Sequence, residues 1–238
     1  MSDIERNIVR LHRSLAVDEH HRYRSWEHCY RYFRQRRGLR ADRDIDHAAL
    51  QLGFYLASWG MYRGSSFLLW KDYKIHRYAV RELLKPKYDL LLRVDFDSPR
   101  ETEAAIPPLF ALVAALRNAY VEQAATVNGR RRDVNVTDTL ATKILLAAFG
   151  CTPAYDLYFI EGLRRHGIGF SMFTEAHFAR LCAFYRAHAA EFKRVQRRIR
   201  KTGIQYPVMR LVDMYFWEVG RRLAALSKKK SGTPRLPA

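Results

Sequence analysis

The chain has 238 residues, of which 48% are hydrophobic and 13% aromatic, so it can bury a sizeable core and is not an intrinsically disordered protein. Its 42 lysines and arginines outnumber 24 aspartates and glutamates, which gives a formal net charge of +18. A positive charge of this size attracts polyanions. The composition therefore favours nucleic acid as the partner, with an anionic membrane surface as the second candidate.

Other classes of protein are disfavoured. Residues 1–13 are charged and lack an apolar core, so no signal peptide is predicted. No window approaches the ~18 uninterrupted apolar residues of a membrane-spanning helix, and we expect no membrane association. Three widely spaced cysteines, Cys29, Cys151 and Cys182, favour a reducing, cytoplasmic compartment over a disulfide framework. Because no metal-binding or nucleotide-binding motif is present, we expect neither a metal nor a cofactor.

Apolar residues recur at helical spacing along most of the chain, and no convincing alternating strand pattern is present. We therefore predict an all-α fold, a compact multi-helix unit over residues 1–227 followed by a basic, disordered tail at 228–238. The clearest loop is 95–100, so two helical subdomains that meet there, with a cleft between them, are the alternative arrangement. Helices are predicted at 4–37, at 46–59 with Asp46 as N-cap, at 72–93 with a break at Pro86, after Pro107 and Pro108, within 137–159, at 174–201 after Thr174, and after Tyr206 and Pro207.

Arginines interleave with aromatic residues in the second half of the first predicted helix. Trp26, Tyr30 and Phe33 lie on one face, and eight arginines between Arg22 and Arg43 surround them. This combination suits phosphate contact together with base stacking. A solvated helix face is the alternative, and it is the preferred interpretation of this segment taken alone.

A segment rich in glycine and serine follows the apolar helix predicted at 46–59. Its glycines permit close backbone approach, while an arginine and two hydroxyls supply anion and hydrogen-bond contacts. The alternative is an ordinary interhelical turn in which Ser65 caps the next helix. The residues expected to line a pocket and bind the substrate are Trp59, Tyr62, Arg63, Ser65 and Ser66.

Two basic surfaces are predicted to hold a phosphate backbone. One follows a turn at Asn128 and Gly129 and consists of Arg130, Arg131 and Arg132. The other is the face of the 174–201 helix opposite Phe192, Val195 and Ile199. No acidic residue interrupts this second face along the helix, which favours polyanion binding. Its members are Lys193, Arg194, Arg197, Arg198, Arg200 and Lys201.

The 137–159 segment reads as two buried helices separated by a break at Gly150 and Cys151, with Thr152 as the second N-cap and Pro153 as the first helical residue. Lys143 lies in the middle of the first helix. Asp156 lies in the first turn of the second helix, next to Tyr155, which we also expect to line the pocket and bind the substrate. We expect this cation and this carboxylate to converge at the site of chemistry.

A desolvated lysine can act as a nucleophile toward a sugar C1 carbon, and a carboxylate can stabilise an oxocarbenium-like sugar cation or orient the attacking water. Both roles of Lys143 and Asp156 suit cleavage of an N-glycosidic bond. The alternative is a buried structural ion pair, or a lysine that extends to the surface beside a carboxylate at a helix terminus. Asp213, in the last helix, either lines the same pocket or forms a structural i,i+3 pair with Arg210.

The run from Thr142-Lys143 to Pro153-Ala154-Tyr155-Asp156 resembles the catalytic segment of helix-hairpin-helix DNA glycosylases, an all-α superfamily. The resemblance covers about residues 130–165 and implies that Asp156 is the catalytic aspartate and Lys143 the lysine of lyase-competent members. The glycine-rich hairpin of that superfamily is absent, the lysine-to-aspartate spacing is shorter, and no iron–sulfur cysteine set follows. The whole chain is also similar to a small bacterial group of phage-defence glycosylases that remove glucosylated cytosines, a likeness without a short motif of its own.

Together with the basic composition, this resemblance implies a DNA glycosylase that acts on a flipped, modified or damaged base in double-stranded DNA, in repair or in defence against phage. We expect a monomer. Flipping is required because the glycosidic bond is inaccessible in a stacked duplex. A non-enzymatic nucleic-acid-binding protein explains the charge equally well. An enzyme that acts on RNA is the third candidate.

Overall fold

The computed structural model describes residues 1–36, 38, 41–124, 126–127, 129–131, 134–168, 172–199 and 204–230. Within these ranges the predicted all-α fold is confirmed, because ten helices carry nearly all of the regular structure. Helices α1 to α10 are, in order, Asp3–Val17, Ser25–Gln35, Asp42–Ser58, His76–Leu83, Pro99–Ala124, Asp138–Ala148, Leu157–Arg165, Glu175–Ala187, Ala189–Ile199 and Val208–Lys230. Shorter 3₁₀ segments occupy Arg22–Arg24, Phe67–Trp70, Tyr73–Ile75 and Pro86–Leu92. Two short strands, β1 (Thr126–Val127) and β2 (Arg130–Arg131), pair antiparallel where the sequence indicated only a turn.

Two predicted helix boundaries in the first part of the chain are wrong. The segment 4–37 is not one helix, because α1 ends at Val17 and the chain turns through Arg22–Arg24 before α2 begins. Helix α3 begins at Asp42 rather than after a cap at Asp46. The carboxylate of Asp42 suits the positive end of the helix dipole, which explains the earlier start.

Helix α5 begins at Pro99, so the predicted start at Pro107 and Pro108 is wrong and both prolines lie inside the helix. The Ser98 hydroxyl accepts a hydrogen bond from the Glu101 N–H at 3.2 Å. A serine cap followed by proline at the first helical position is a favourable helix start. Local capping therefore sets this boundary.

The C-terminal helices also differ in extent from the prediction. The segment 174–201 divides into α8, which begins after Thr174 as predicted, and α9. Helix α10 follows Pro207 as predicted, but residues 228–230 are helical rather than part of a tail. Residues 231–238 lie outside the described ranges.

By length and composition alone, helix α5 could cross a membrane, since it has 26 residues and a window of mean hydropathy 1.4. The sequence analysis predicted no membrane-spanning helix, because it required about 18 uninterrupted apolar residues. A core helix of a soluble protein passes the same test. Helix α5 packs against α4, α6 and α8.

Helix α6 lies within the hydrophobic core, as its composition predicts. Every residue from Leu140 to Ala148 is buried. The Trp26 indole N–H of α2 donates to the Leu146 carbonyl at 3.0 Å, and the Tyr55 hydroxyl of α3 donates to the Lys143 carbonyl at 3.2 Å. These hydrogen bonds tie α2 and α3 to the helix that carries the candidate lysine.

Two glycines allow α7 and α10 to pack backbone against backbone. A Cβ atom at Gly162 would lie 2.1 Å from the carbonyl oxygen of Phe216, and one at Gly220 would lie 1.9 Å from that of Tyr158. No side chain fits at such distances, so both positions require glycine. The contact holds α7, which directly follows the candidate aspartate Asp156, against the middle of α10.

A buried histidine links three parts of the fold. The His76 Nε2 atom lies 2.7 Å from the Tyr62 hydroxyl, and its Nδ1 atom lies 2.6 Å from the Tyr120 hydroxyl. Burial lowers the pKa of His76 to about 3. The imidazole is therefore neutral in the folded protein, with one ring nitrogen accepting a hydrogen bond and the other donating one through its N–H group.

We expect His76 to make the folded state sensitive to acid. An unfolded histidine takes up a proton at about pH 6.5. The folded chain does so only near the depressed pKa of His76, about 3, so the unfolded state binds more protons between these two values. The free energy of unfolding should therefore be highest above about pH 6.5 and should fall by up to about 1.4 kcal/mol for each pH unit below that value.

Urea unfolding between about pH 7 and about pH 5 measures this loss. The control is His76→Gln, which has no titrating group at the position while other groups titrate in both proteins. Wild type should lose stability more steeply than the variant as the pH falls. The same slope in both proteins would show that His76 is not the cause.

Candidate functional site

A cavity of about 260 Å³ lies among α1, the Arg22–Arg24 segment, the loop after α3, and helices α6, α7 and α10. Its charged lining residues are Arg22, Arg63, Lys143, Asp156, Arg210 and Asp213. Its aromatic lining residues are Tyr23, Trp59, Tyr158 and Trp217. The cavity therefore brings the predicted lysine and aspartate together with part of the loop that follows α3.

Lys143 reaches the cavity from the centre of α6 and is only 5% exposed. Its Nζ atom donates to the carbonyl oxygen of Trp59 at 2.8 Å and lies 4.0 Å from Oδ2 of Asp156. Trp59 is the C-cap of α3, where an ammonium group is favoured by the negative end of the helix dipole. Burial lowers the pKa of Lys143, although Asp156 and Asp213 act in the opposite direction.

Asp156 is the N-cap of α7, and its two carboxylate oxygens have different surroundings. The Oδ1 atom accepts a hydrogen bond from the Phe159 N–H at 3.1 Å, while Oδ2 is the atom that lies near Lys143. Burial raises the pKa of Asp156, whereas Lys143, the helix N–H groups and the Trp217 side chain lower it. The capping bond fixes the carboxylate, and its Oδ2 atom lies beside Lys143 at the cavity.

The predicted cap at Thr152 and helix start at Pro153 are wrong, because α7 begins only at Leu157. If α7 began at Pro153, the backbone groups of its first residues would form hydrogen bonds within the helix or with its N-cap. Instead they form hydrogen bonds with residues of other helices. The Tyr155 N–H donates to the Thr142 hydroxyl at 3.0 Å, and the Thr139 hydroxyl donates to the Tyr155 carbonyl at 2.7 Å. The chain therefore approaches Asp156 without helical structure.

Asp213 is buried and forms an ion pair with Arg210, so the structural alternative from the sequence is present in the fold. Its Oδ1 atom also accepts the Ala154 N–H at 2.9 Å, which positions the segment that leads to Asp156. The Arg210 guanidinium lies 4.9 Å from the Trp59 ring centroid. Burial raises the pKa of Asp213 to about 6, although Arg210 opposes the shift. Both alternatives hold, since the pair is structural and also lines the cavity.

The aromatic rings form a connected wall. The Tyr23 ring centroid lies 5.5 Å from those of Trp59 and Trp217, and Trp217 lies 5.4 Å from Tyr158, all in edge-to-face geometry. Together the rings give the cavity an aromatic lining of the kind that contacts bases. The wall therefore suits an aromatic ligand.

Two arginines among the lining residues are exposed to solvent. The Arg22 guanidinium lies 4.8 Å from the Tyr23 ring centroid, and Arg63 lies near the left-handed turn at Gly60. Within the described part of the chain, neither Arg22 nor Arg63 forms an ion pair. Their positive charges are available to an anionic group outside the cavity.

Four residues predicted to bind the substrate do not line the cavity. Tyr62 hydrogen-bonds to His76, and Ser66 caps the Phe67–Trp70 segment through the Leu68 N–H. Ser65 is exposed and is not the capping serine that the alternative interpretation required. Tyr155 is buried, and its ring packs against Phe159 and Phe173. Only Trp59 and Arg63 of the predicted loop residues remain in the site.

Two members of the predicted basic faces are neutralised by distant acids. Lys193 lies 2.6 Å from Asp97, and Arg194 lies 2.7 Å from Glu5, so the α9 face is less positive than its helical pattern indicates. Arg130, Arg197 and Arg198 are exposed, whereas Arg132, Arg200, Lys201 and the Arg131 side chain lie outside the described residues. None of the described basic residues named here lines the cavity.

Sequence reasoning did not assign Tyr23 or Tyr158 to the site. Tyr23 follows an arginine just before α2, and Tyr158 follows an exposed leucine at the start of α7. Nothing in the local pattern of either residue distinguishes it from a surface tyrosine. Arg22 was predicted only as one of the arginines that surround the aromatic face of the first helix. In the structure it lines the cavity, and its guanidinium lies against the Tyr23 ring.

Among the described residues, no group of three or more histidine, cysteine, aspartate or glutamate side chains could hold a metal ion. Comparison with protein-family models, with curated proteins and with solved structures found no match for this chain.

Proposed function

We propose that this protein is a DNA glycosylase that hydrolyses the N-glycosidic bond of a single base held in the cavity. The observation that carries the proposal is the presence of a buried lysine beside a partly buried aspartate, four aromatic rings and two exposed arginines at one small cavity. Aromatic rings stack on bases, arginines bind phosphates, and a carboxylate stabilises a sugar cation. Each kind of group thus matches one part of a nucleotide.

The size of the cavity supports a single nucleotide as its ligand. Its volume of about 260 Å³ falls just below the ~300–1,000 Å³ of typical small-molecule pockets. A base and its sugar suit such a space, whereas a stacked duplex does not. The target base must therefore leave the helix before it enters the cavity.

The geometry supports a central role for Asp156 in this proposal. As the bond between base and sugar breaks, positive charge develops on the sugar ring, and a nearby carboxylate stabilises that charge or orients the attacking water. The Oδ1 atom of Asp156 is held by the Phe159 N–H, so Oδ2 can face the sugar without loss of orientation. Lys143 opposes the effect of burial on the pKa of Asp156 and thereby favours the ionised form.

The charge distribution supports DNA as the carrier of the base. Arg22 and Arg63 lie exposed beside the cavity, where they can contact the phosphates on either side of a flipped nucleotide. The net charge of +18 adds a long-range attraction that does not depend on base sequence. Phosphate contacts of this kind position the protein and leave recognition to the cavity.

Mass-spectrometric detection of released bases tests the proposal directly. The substrates are a panel of duplexes with damaged or modified bases, together with phage DNA that carries glycosylated cytosines. Release of a free base by wild type supports the proposal. Tight DNA binding with no release from any member of the panel would instead indicate a non-enzymatic nucleic-acid-binding protein, and release from RNA alone would indicate an RNA-acting enzyme.

A second measurement defines the part played by Lys143. Because burial lowers the pKa of Lys143, a larger fraction of this side chain is the neutral amine than in an exposed lysine. The neutral amine can attack the sugar C1′ atom and displace the base, and opening of the C1′–O4′ bond of the sugar ring then gives an imine. We expect borohydride to reduce the resulting imine and trap a covalent protein–DNA adduct. Lys143→Gln should give no adduct. If wild type also gives none, Lys143 acts by orienting and ionising Asp156 only.

A further inference from the structure

One large apolar side chain projects into solvent at the cavity. Leu157 is 74% exposed and is also a lining residue of the cavity. It is the first residue of α7 and directly follows Asp156. An exposed leucine on a protein surface is common and needs no explanation alone, but this one adjoins the candidate catalytic carboxylate.

The surroundings of Leu157 suit contact with a nucleic-acid duplex. Arg22 and Arg63, both exposed, line the same cavity, so this apolar side chain shares the cavity with two groups that can bind phosphates. When a base leaves a duplex, a gap opens in the base stack. Proteins commonly fill such gaps with leucine, isoleucine, methionine or phenylalanine, which offset part of the cost of unstacking.

We propose that Leu157 inserts into the base stack and occupies the position left by the flipped base, which makes double-stranded rather than single-stranded DNA the substrate class. This inference rests on the proposed function and adds a positioning residue to it. Leucine has no hydrogen-bonding groups, so insertion fills the gap without selecting the neighbouring bases. Asp156, one residue earlier, would then face the sugar of the nucleotide that has been displaced.

A duplex with one tetrahydrofuran abasic site tests this role, because it offers a permanent gap and has no base to release. A neighbouring 2-aminopurine reports insertion through its fluorescence. The variants are Leu157→Ala and, as the matched control, Leu226→Ala, since Leu226 is 56% exposed and does not line the cavity. Both changes are at exposed helical positions, so neither should unfold the protein.

We expect wild type and Leu226→Ala to bind the abasic duplex more tightly than an intact duplex, and Leu157→Ala to lose about 10-fold or more of that preference together with the fluorescence change. Binding to a single strand should be the same for all three proteins. Full preference in Leu157→Ala, no preference in wild type, or an equal loss on single strands would overturn the inference. The readout needs no bond cleavage, so failure of base release would reject the glycosylase proposal without changing this result.

Discussion

Replacement of Asp156 with asparagine is expected to lower the rate of base release by about 10³-fold. The change removes the negative charge that would stabilise the sugar cation. Asparagine is as good an N-cap as aspartate, so the hydrogen bond from the Phe159 N–H to the capping side chain is kept. Loss of activity with an intact fold is therefore the specific expectation.

The matched control is Asp72→Asn. Asp72 caps the Tyr73–Ile75 segment by accepting the Lys74 N–H at 2.9 Å, and it does not line the cavity. It undergoes the same chemical change at the same kind of capping position. Single-turnover base release, DNA binding and urea unfolding should be measured for both variants. Base release by Asp156→Asn at the rate of the control would remove Asp156 from the mechanism.

The second large effect is expected at Gly162, where substitution with alanine should reduce stability by about 3 kcal/mol. The added Cβ atom would lie 2.1 Å from the Phe216 carbonyl oxygen and 2.9 Å from the Phe216 Cα atom. These are backbone atoms within α10 and cannot rotate away. Helix α7 must therefore move away from α10.

This movement should also affect the cavity. Asp156 caps α7 and Asp213 lies on α10, so the alanine variant should lose base release to a greater extent than its unfolded fraction explains. The control is Gly38→Ala, because a Cβ atom at Gly38 would meet nothing within 4 Å. Urea unfolding of the two variants measures the difference. If Gly162→Ala is as stable as Gly38→Ala, the close contact between α7 and α10 is not required for folding.

Properties that depend on neighbouring residues in the chain could be predicted well. Helix α6 is apolar on all sides, so its burial followed from composition, and the break after it brought Lys143 and Asp156 to the same region. The start of α7 could not be predicted, because Thr152 is a good local cap. The hydrogen bonds that hold the following residues come from Thr142 and Asp213 in other helices.

The loop after α3 shows where prediction of the site failed. Its composition suited a pocket, and Trp59 and Arg63 do line one. Tyr62 instead bonds to His76, which belongs to α4, so its direction depends on how α3 and α4 pack. The hydrogen bond that the Leu68 N–H donates to the Ser66 hydroxyl is local. The alternative interpretation of the sequence predicted a serine cap at this place but assigned it to Ser65.

Helical periodicity and composition are properties of short stretches of chain. They were therefore sufficient to predict the all-α fold, the burial of α6 and the proximity of Lys143 to Asp156. Charge and the cavity wall depend on residues far apart in sequence. Glu5 neutralises Arg194 across 189 positions, and Tyr23 and Trp217 meet at the cavity only because the helices that carry them pack there. Long-range packing therefore determined which cations remain free and which aromatic side chains surround the carboxylate.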